Sequence, residues 1–366
     1  MKIQFVIILI FVAIISFSLG SNDNIKYFFN DNFLNSKNYD TLETTNNIIS
    51  HEEISDLIHI DNVEDLNDKK NLLFNFLWQT ENLPSDSITN IDENVTHPTF
   101  SNISNLKKID RFLILMEYDI NSVVYLLHPI ESNNDLVIYH EGHSYDFENA
   151  KKTINYFLDK GFSVLVFAMP LQIENNQPYV ELDNLGNIQL LKHNQLVYLE
   201  DENFTPMKFF FEPITRSLNF IDTNYFFDNY YMIGISGGGW TTTIYSAMDD
   251  RVNQSFSISG SLPLFLRNNI ADLGDYEQIN PNLYHKVNYL ELYLMAGYGE
   301  NRSHTQFFIK NDPCCFAGEK FKIFSPIVSE KLSKLGSGSY QAILDSTTNK
   351  HVISDNVLEL IHNSIK

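Results

Sequence analysis

The stretch Tyr231-Met232-Ile233-Gly234-Ile235-Ser236-Gly237-Gly238-Gly239-Trp240 constrains this chain more than any other. An apolar run meets a serine set among glycines. Ile244, Tyr245, Ala247 and Met248 then recur at helical spacing before the pattern stops at Asp249-Asp250-Arg251. A strand, a one-residue bend and a helix make a nucleophile elbow. Its serine backbone is strained, and the positions two before and two after it must be small so that strand and helix can approach. Gly234 and Gly238 meet that demand. A flexible glycine linker shares the bare G-x-S-x-G pattern, but linkers are not normally preceded by a buried-type strand and followed by helical periodicity.

The chain has 366 residues, 43% of them hydrophobic, enough to bury a large core in one domain with an extension. Its formal net charge of −21 argues against a nucleic-acid partner, which calls for clustered Lys and Arg, and against anionic membranes. Lys2, the apolar run from Ile3 to Phe17 and then Ser18-Leu19-Gly20 have the regions of a secretory signal cleaved after Gly20. The expected location is secreted or in the secretory-pathway lumen, with no stable span after cleavage; the alternative is a membrane anchor through residues 3–17. Sequons at Asn94, Asn102, Asn203, Asn253 and Asn301 are compatible with a secreted glycoprotein. The only cysteines, Cys314 and Cys315, are adjacent and too close for an unstrained disulfide, so they are expected to be buried thiols beside the active site. A zinc site joining them to His304 matches no familiar ligand spacing.

Residues 21–108 read as an acidic, Asn-rich extension with one amphipathic docking helix over 67–79, and residues 109–366 as the main domain. There the pattern predicts a hairpin (Ile109–Tyr118 and Ser122–His128), buried strands at Asp135–Tyr139 and Phe162–Ala168 around a helix over Asn149–Asp159, and then the elbow strand and its helix. Further strands are expected at Ser255–Ile258, Asn288–Ala296 and Tyr340–Leu344, with a final helix over Val352–Ile365. The fold class is α/β, a doubly wound, mostly parallel sheet with active-site loops at the strand carboxyl ends. Insertions at 172–205, which holds a small hairpin turning at Gly186, and at 261–287 are candidate lids.

A serine hydroxyl needs a base to take its proton and an acid to orient that base, and in this architecture the chain order is serine, acid, histidine. His351 follows the last expected strand by a short polar loop and is the expected base. The acid is expected after the strand ending at Ala296-Gly297: Asp312, in a rigid Asp-Pro turn, is favoured, Glu300 is the alternative and Asp345 the third choice. The oxyanion of an acyl transfer is assigned to the amides of Gly237 and His143, with Gly142 permitting the turn of the His140-Glu141-Gly142-His143 loop. That loop is one residue short of a H-E-x-x-H zinc motif, so no metal is assigned.

The elbow, the Tyr139–His143 strand and loop and the terminal His351 together resemble the α/β-hydrolase superfamily over about residues 109–366. The oxyanion loop departs from that pattern, reading His-Glu-Gly-His rather than the commoner His-Gly-Gly. The resemblance implies serine-dependent hydrolysis of an ester, thioester or amide through an acyl-enzyme, without a cofactor. The aromatic insertions suggest a small-molecule or lipid-like acyl substrate. The alternative is a catalytically inactive secreted binding protein on the same scaffold.

Overall fold

A computed structural model of the chain describes residues 50–183 and 185–365. The expected signal or anchor and residues 21–49 of the extension lie outside the described residues. The strands are β1 (Asn90–Asp92), β2 (Leu106–Leu115), β3 (Asn121–Pro129), β4 (Asp135–His140), β5 (Ser163–Phe167), β6 (Tyr179–Leu182), β7 (Gly186–Gln189), β8 (Asn229–Ile235), β9 (Val252–Ile258), β10 (Ser303–Ile309) and β11 (Ser339–Asp345). Nine of them form one sheet in the order β1-β2-β3-β5-β4-β8-β9-β10-β11, parallel from β5 to β11, with an antiparallel edge at β1 to β3. The expected hairpin is β2–β3, and β6–β7 is the small hairpin of the first insertion.

All of β5 and five of the six residues of β4 are buried, because helices cover both faces of the sheet. Helices Glu148–Asp159 and Asp355–Ser364 share one core with Val137, Tyr139, Val164 and Ile233. The neighbouring residues along these strands, Leu136, Ile138 and Met232, point the other way and are equally buried. Against β8 and β9 lies the elbow helix Gly237–Met248, every residue of which is buried.

The segment Asn288–Ala296, expected as a strand, is a helix, Tyr289–Gly297. Its nine residues are all buried, so periodicity cannot distinguish a strand from a helix there. The deciding signal is a capping box. The Asn288 side chain accepts from the amides of Leu290 and Glu291 at 2.9 and 3.2 Å, and Glu291 Oε2 accepts from the Asn288 amide at 2.9 Å. The strand that takes its place in the sheet is β10, whose Ser-His-Thr-Gln start hid it.

The amphipathic segment of the extension is the helix Val63–Trp78, begun one turn early by an Asn62–Asp65 capping box. It buries Leu73, Phe74 and Leu77, and Lys69 reaches the buried Glu291 at 2.9 Å. The described residues from His51 onward belong to one compact unit. Phe209, Phe210 and Phe211 are core residues, Phe210 and Phe211 packing on the buried Trp240 ring at 5.2 and 5.4 Å. Among the described residues no helix is long and apolar enough to cross a membrane.

Candidate active site

Ser236 sits between the end of β8 and the first residue of its helix with φ 56° and ψ −126°, a conformation that costs a non-glycine residue free energy and that the surrounding contacts enforce. A Cβ on Gly234 would lie 2.1 Å from the carbonyl oxygen of Gly238, and one on Gly238 would lie 2.1 Å from that of His140. Both positions tolerate glycine alone. The Ser236 amide donates to the Ile258 carbonyl at 2.9 Å, tying the bend to β9, while the elbow helix directs its amino terminus at the serine.

Asp312 lies three residues beyond the carboxyl end of β10, and His351 lies in the loop after β11. The imidazole Nδ1 donates to the Asp312 carboxylate, at 2.9 Å from Oδ1 and 2.8 Å from Oδ2. That fixes the tautomer, because the proton on Nδ1 leaves Nε2 as the basic nitrogen. Nε2 is buried and makes no hydrogen bond among the described residues. His351 and Ser236 line the same cavity of about 310 Å³, together with Glu141, Gly142, His143 and Lys152. No hydrogen bond joins Ser236 Oγ to Nε2; in serine hydrolases that bond often tightens only in the substrate complex. Burial opposes the charged imidazole, but the hydrogen bond and charge of Asp312 outweigh it and raise the His351 pKa above the ordinary histidine value. For Asp312, burial pushes upward and is outweighed by His351, the Cys314 amide and the Ser259 hydroxyl, so its pKa lies below the usual carboxylate range.

Two supporting residues were not foreseen from the sequence. Ser259 directly follows β9 in the left-handed region, φ 44°, and its buried hydroxyl donates to Asp312 Oδ2 at 2.8 Å. Its signal was a serine at the carboxyl end of the strand beside the elbow. Glu141 is the other. Its buried carboxylate accepts from Tyr139 Oη at 2.8 Å and from the Gly142 amide at 3.0 Å, bracing the loop after β4. The Gly142 amide is therefore engaged, and the glycine is required for a different reason: a Cβ there would lie 2.7 Å from Ser236 Cβ. The amide of His143 has no partner among the described residues. The His143 ring lies over Gly237, where a Cβ would meet its Nδ1 at 3.1 Å.

The remaining candidates fall elsewhere. Glu300 precedes β10, so it lies toward the opposite edge of the sheet, exposed. Asp345 ends β11 and accepts from the Thr347 amide and hydroxyl within its own loop. His304 is buried near the amino end of β10 with Nδ1 against Ser255 Oγ at 2.7 Å, and burial pushes its pKa down to about 3. His140 is buried and donates from Nδ1 to the Glu141 carbonyl at 2.8 Å. The thiols correct the expectation of burial, since Cys314 is exposed and Cys315 partly so; the Cys314 amide donates to Asp312 Oδ1 at 2.9 Å.

No family model and no curated protein matches the sequence. Among solved structures, the chain is similar to acetyl xylan esterase 1 from Thermoanaerobacterium sp. JW/SL YS485, with 14% identity over 86% of this chain and 97% of that one and a TM-score of 0.53. It is also similar to the acetyl xylan esterase from Paenibacillus sp. R4, with 12% identity, coverage of 86% and 98% respectively and a TM-score of 0.52. At such identities the likeness speaks for the fold. The strand order, the strained serine between β8 and its helix, and these structural relatives establish that the chain has the α/β-hydrolase fold, that of the superfamily its sequence resembles.

Proposed function

We propose that this protein is a serine esterase working through an acyl-enzyme, with Ser236 as nucleophile, His351 as general base and then acid, and Asp312 as the carboxylate that orients the imidazole. One observation carries the reading: a strained serine shares a cavity with an imidazole whose Nδ1 is held by a buried carboxylate and whose Nε2 is left unpaired. Ser236 Oγ attacks the ester carbonyl as its proton passes to Nε2. The amides of Gly237 and His143 receive the developing oxyanion; the alcohol leaves with the proton from His351, and water repeats the sequence on the acyl-enzyme.

The cavity favours a short acyl group. About 310 Å³ is at the lower end of the ~300–1,000 Å³ usual for ligand pockets, and Glu141, Lys152 and Lys350 in its lining disfavour a long alkyl chain. The named activity of the structural relatives, on acetylated xylan, agrees with a small acyl group. A fluorophosphonate probe tests the chemistry. The folded wild-type protein is expected to label, and Ser236→Ala to lose labelling together with a drop of at least about 10³-fold in kcat on p-nitrophenyl acetate. Absence of labelling in folded wild-type protein supports the inactive binding scaffold instead. Secretion belongs to the same proposal, and amino-terminal sequencing of the exported chain, expected to begin at Ser21, decides between cleavage and anchoring.

A further inference from the structure

The oxyanion loop and both insertions converge on four side chains that the hydrolase chemistry does not use. His143 follows β4, His193 opens a short 3₁₀ helix in the first insertion, and Asp275 and Glu277 lie in the second. Their ligand atoms all lie within 4.8 Å of one another. His143 Nε2 is 2.9 Å from His193 Nδ1, 3.1 Å from Asp275 Oδ2 and 3.6 Å from Glu277 Oε1, and His193 Nδ1 is 3.1 Å from Glu277 Oε2. Around a tetrahedral zinc ion with bonds of about 2.0–2.1 Å, neighbouring ligand atoms are about 3.3 Å apart. The three separations from His143 Nε2 bracket that value.

Hydrogen bonds alone do not satisfy the group. The Nε2–H of His193 is committed to the Pro170 carbonyl at 2.8 Å, which in the neutral ring leaves Nδ1 a lone pair aimed at the Glu277 carboxylate. Two acceptors, His193 Nδ1 at 2.9 Å and Asp275 Oδ2 at 3.1 Å, compete for His143 Nε2, which carries at most one proton. Glu277 is wholly buried, and its Oε1 has no hydrogen-bond partner although it faces the cluster. A divalent cation resolves all three conflicts at once, and two neutral imidazoles with two carboxylates give it an overall neutral site. The backbone contact on His193 is also the outer support that metal-bound histidines have. Asp275 and His143, both partly exposed, leave a way in.

We propose that His143, His193, Asp275 and Glu277 bind one divalent transition-metal ion, zinc by their donor chemistry. The ion ties the oxyanion loop to both insertions beside Ser236. It takes no part in the ester chemistry: the His143 imidazole is a ligand while the His143 amide stays free for the oxyanion.

The test is metal binding to the full chain, independent of any activity. Purified protein is stripped with chelator and titrated with Zn²⁺, then with Co²⁺, whose visible spectrum reports tetrahedral coordination. The expected result is one equivalent per chain, a tetrahedral Co²⁺ spectrum, and affinity at least about 100-fold weaker in Glu277→Gln. Asp275→Asn, on a partly exposed side chain, serves as a second variant whose folding is less at risk, with circular dichroism as the check. A Cys314→Ser/Cys315→Ser variant separates this site from the thiols, which also lie near His351. Failure of the wild type to bind either ion, binding unchanged in both folded carboxylate variants, or binding lost only with the thiols overturns the proposal. Fluorophosphonate labelling of Ser236 reports separately on the esterase reading.

Discussion

Gly142→Ala isolates the proposed oxyanion loop from the rest of the proposed catalytic geometry. Gly142 does not lie in the left-handed region, so alanine brings no backbone strain; its effect is steric alone. The new Cβ would sit 2.7 Å from both Ser236 Cβ and the Ile235 carbonyl oxygen, about 0.7 Å short of an ordinary 3.4 Å contact. Neither atom is the end of a flexible side chain. The elbow cannot yield, because Gly234 and Gly238 already hold strand and helix in contact. The loop must therefore retreat from the serine by several tenths of an ångström and carry the His143 amide away from that of Gly237. A 1 Å misplacement costs roughly 10²-fold in rate, and loss of one oxyanion donor costs about 10²–10³. The expected result is a fall of about 10²-fold in kcat on p-nitrophenyl acetate with KM little changed, since the bond to the oxyanion forms only in the transition state. Slower fluorophosphonate labelling should accompany it, while overpacking lowers stability by about 1–3 kcal/mol in a thermal melt followed by circular dichroism. A folded variant whose kcat and labelling rate stay within about threefold of wild type refutes the assignment of this loop to the oxyanion.

Asp312→Asn should lower kcat by about 10⁴-fold by removing the carboxylate that fixes the tautomer of His351, whereas Glu300→Gln leaves steady-state rates unchanged; the reverse ranking overturns the choice of acid. In the proposed mechanism His351 works as neutral imidazole, and Asp312 favours its protonated form. The acid limb of kcat/KM should therefore have its midpoint above 6.5, with activity rising as pH rises through it, and the residual activity of Asp312→Asn should show that midpoint moved to lower pH. Ser259→Ala removes a hydrogen bond to a buried carboxylate, worth about 1.5–3 kcal/mol, and should lower kcat/KM by about tenfold or more while the protein still folds, as read by steady-state kinetics and circular dichroism.

Local chemistry, which the amino-acid order carries directly, determined the central facts. Ser236 between Gly234 and Gly238 after an apolar strand specifies its own bend, because no larger residue fits where the glycine contacts fall near 2.1 Å. The position of His351 between the last strand and the terminal helix was legible in the sequence, and so were the buried runs of β4 and β5 from their uniform apolarity. The tertiary structure decided what depends on neighbours distant in sequence. Tyr289–Gly297 is apolar on every side, so burial on all faces erased the period that separates helix from strand, and β10 was displaced from the sequence reading as a result. Asp312 was preferred for its turn, yet its partnership with His351 and Ser259 exists only because β9, β10 and β11 are adjacent and parallel in the sheet. The grouping of His143, His193, Asp275 and Glu277 draws on three loops separated by up to 134 residues, and no spacing rule acts over such a distance. Covalent order fixes what a residue does to its own backbone; the closure of long loops by the packed sheet fixes which side chains meet.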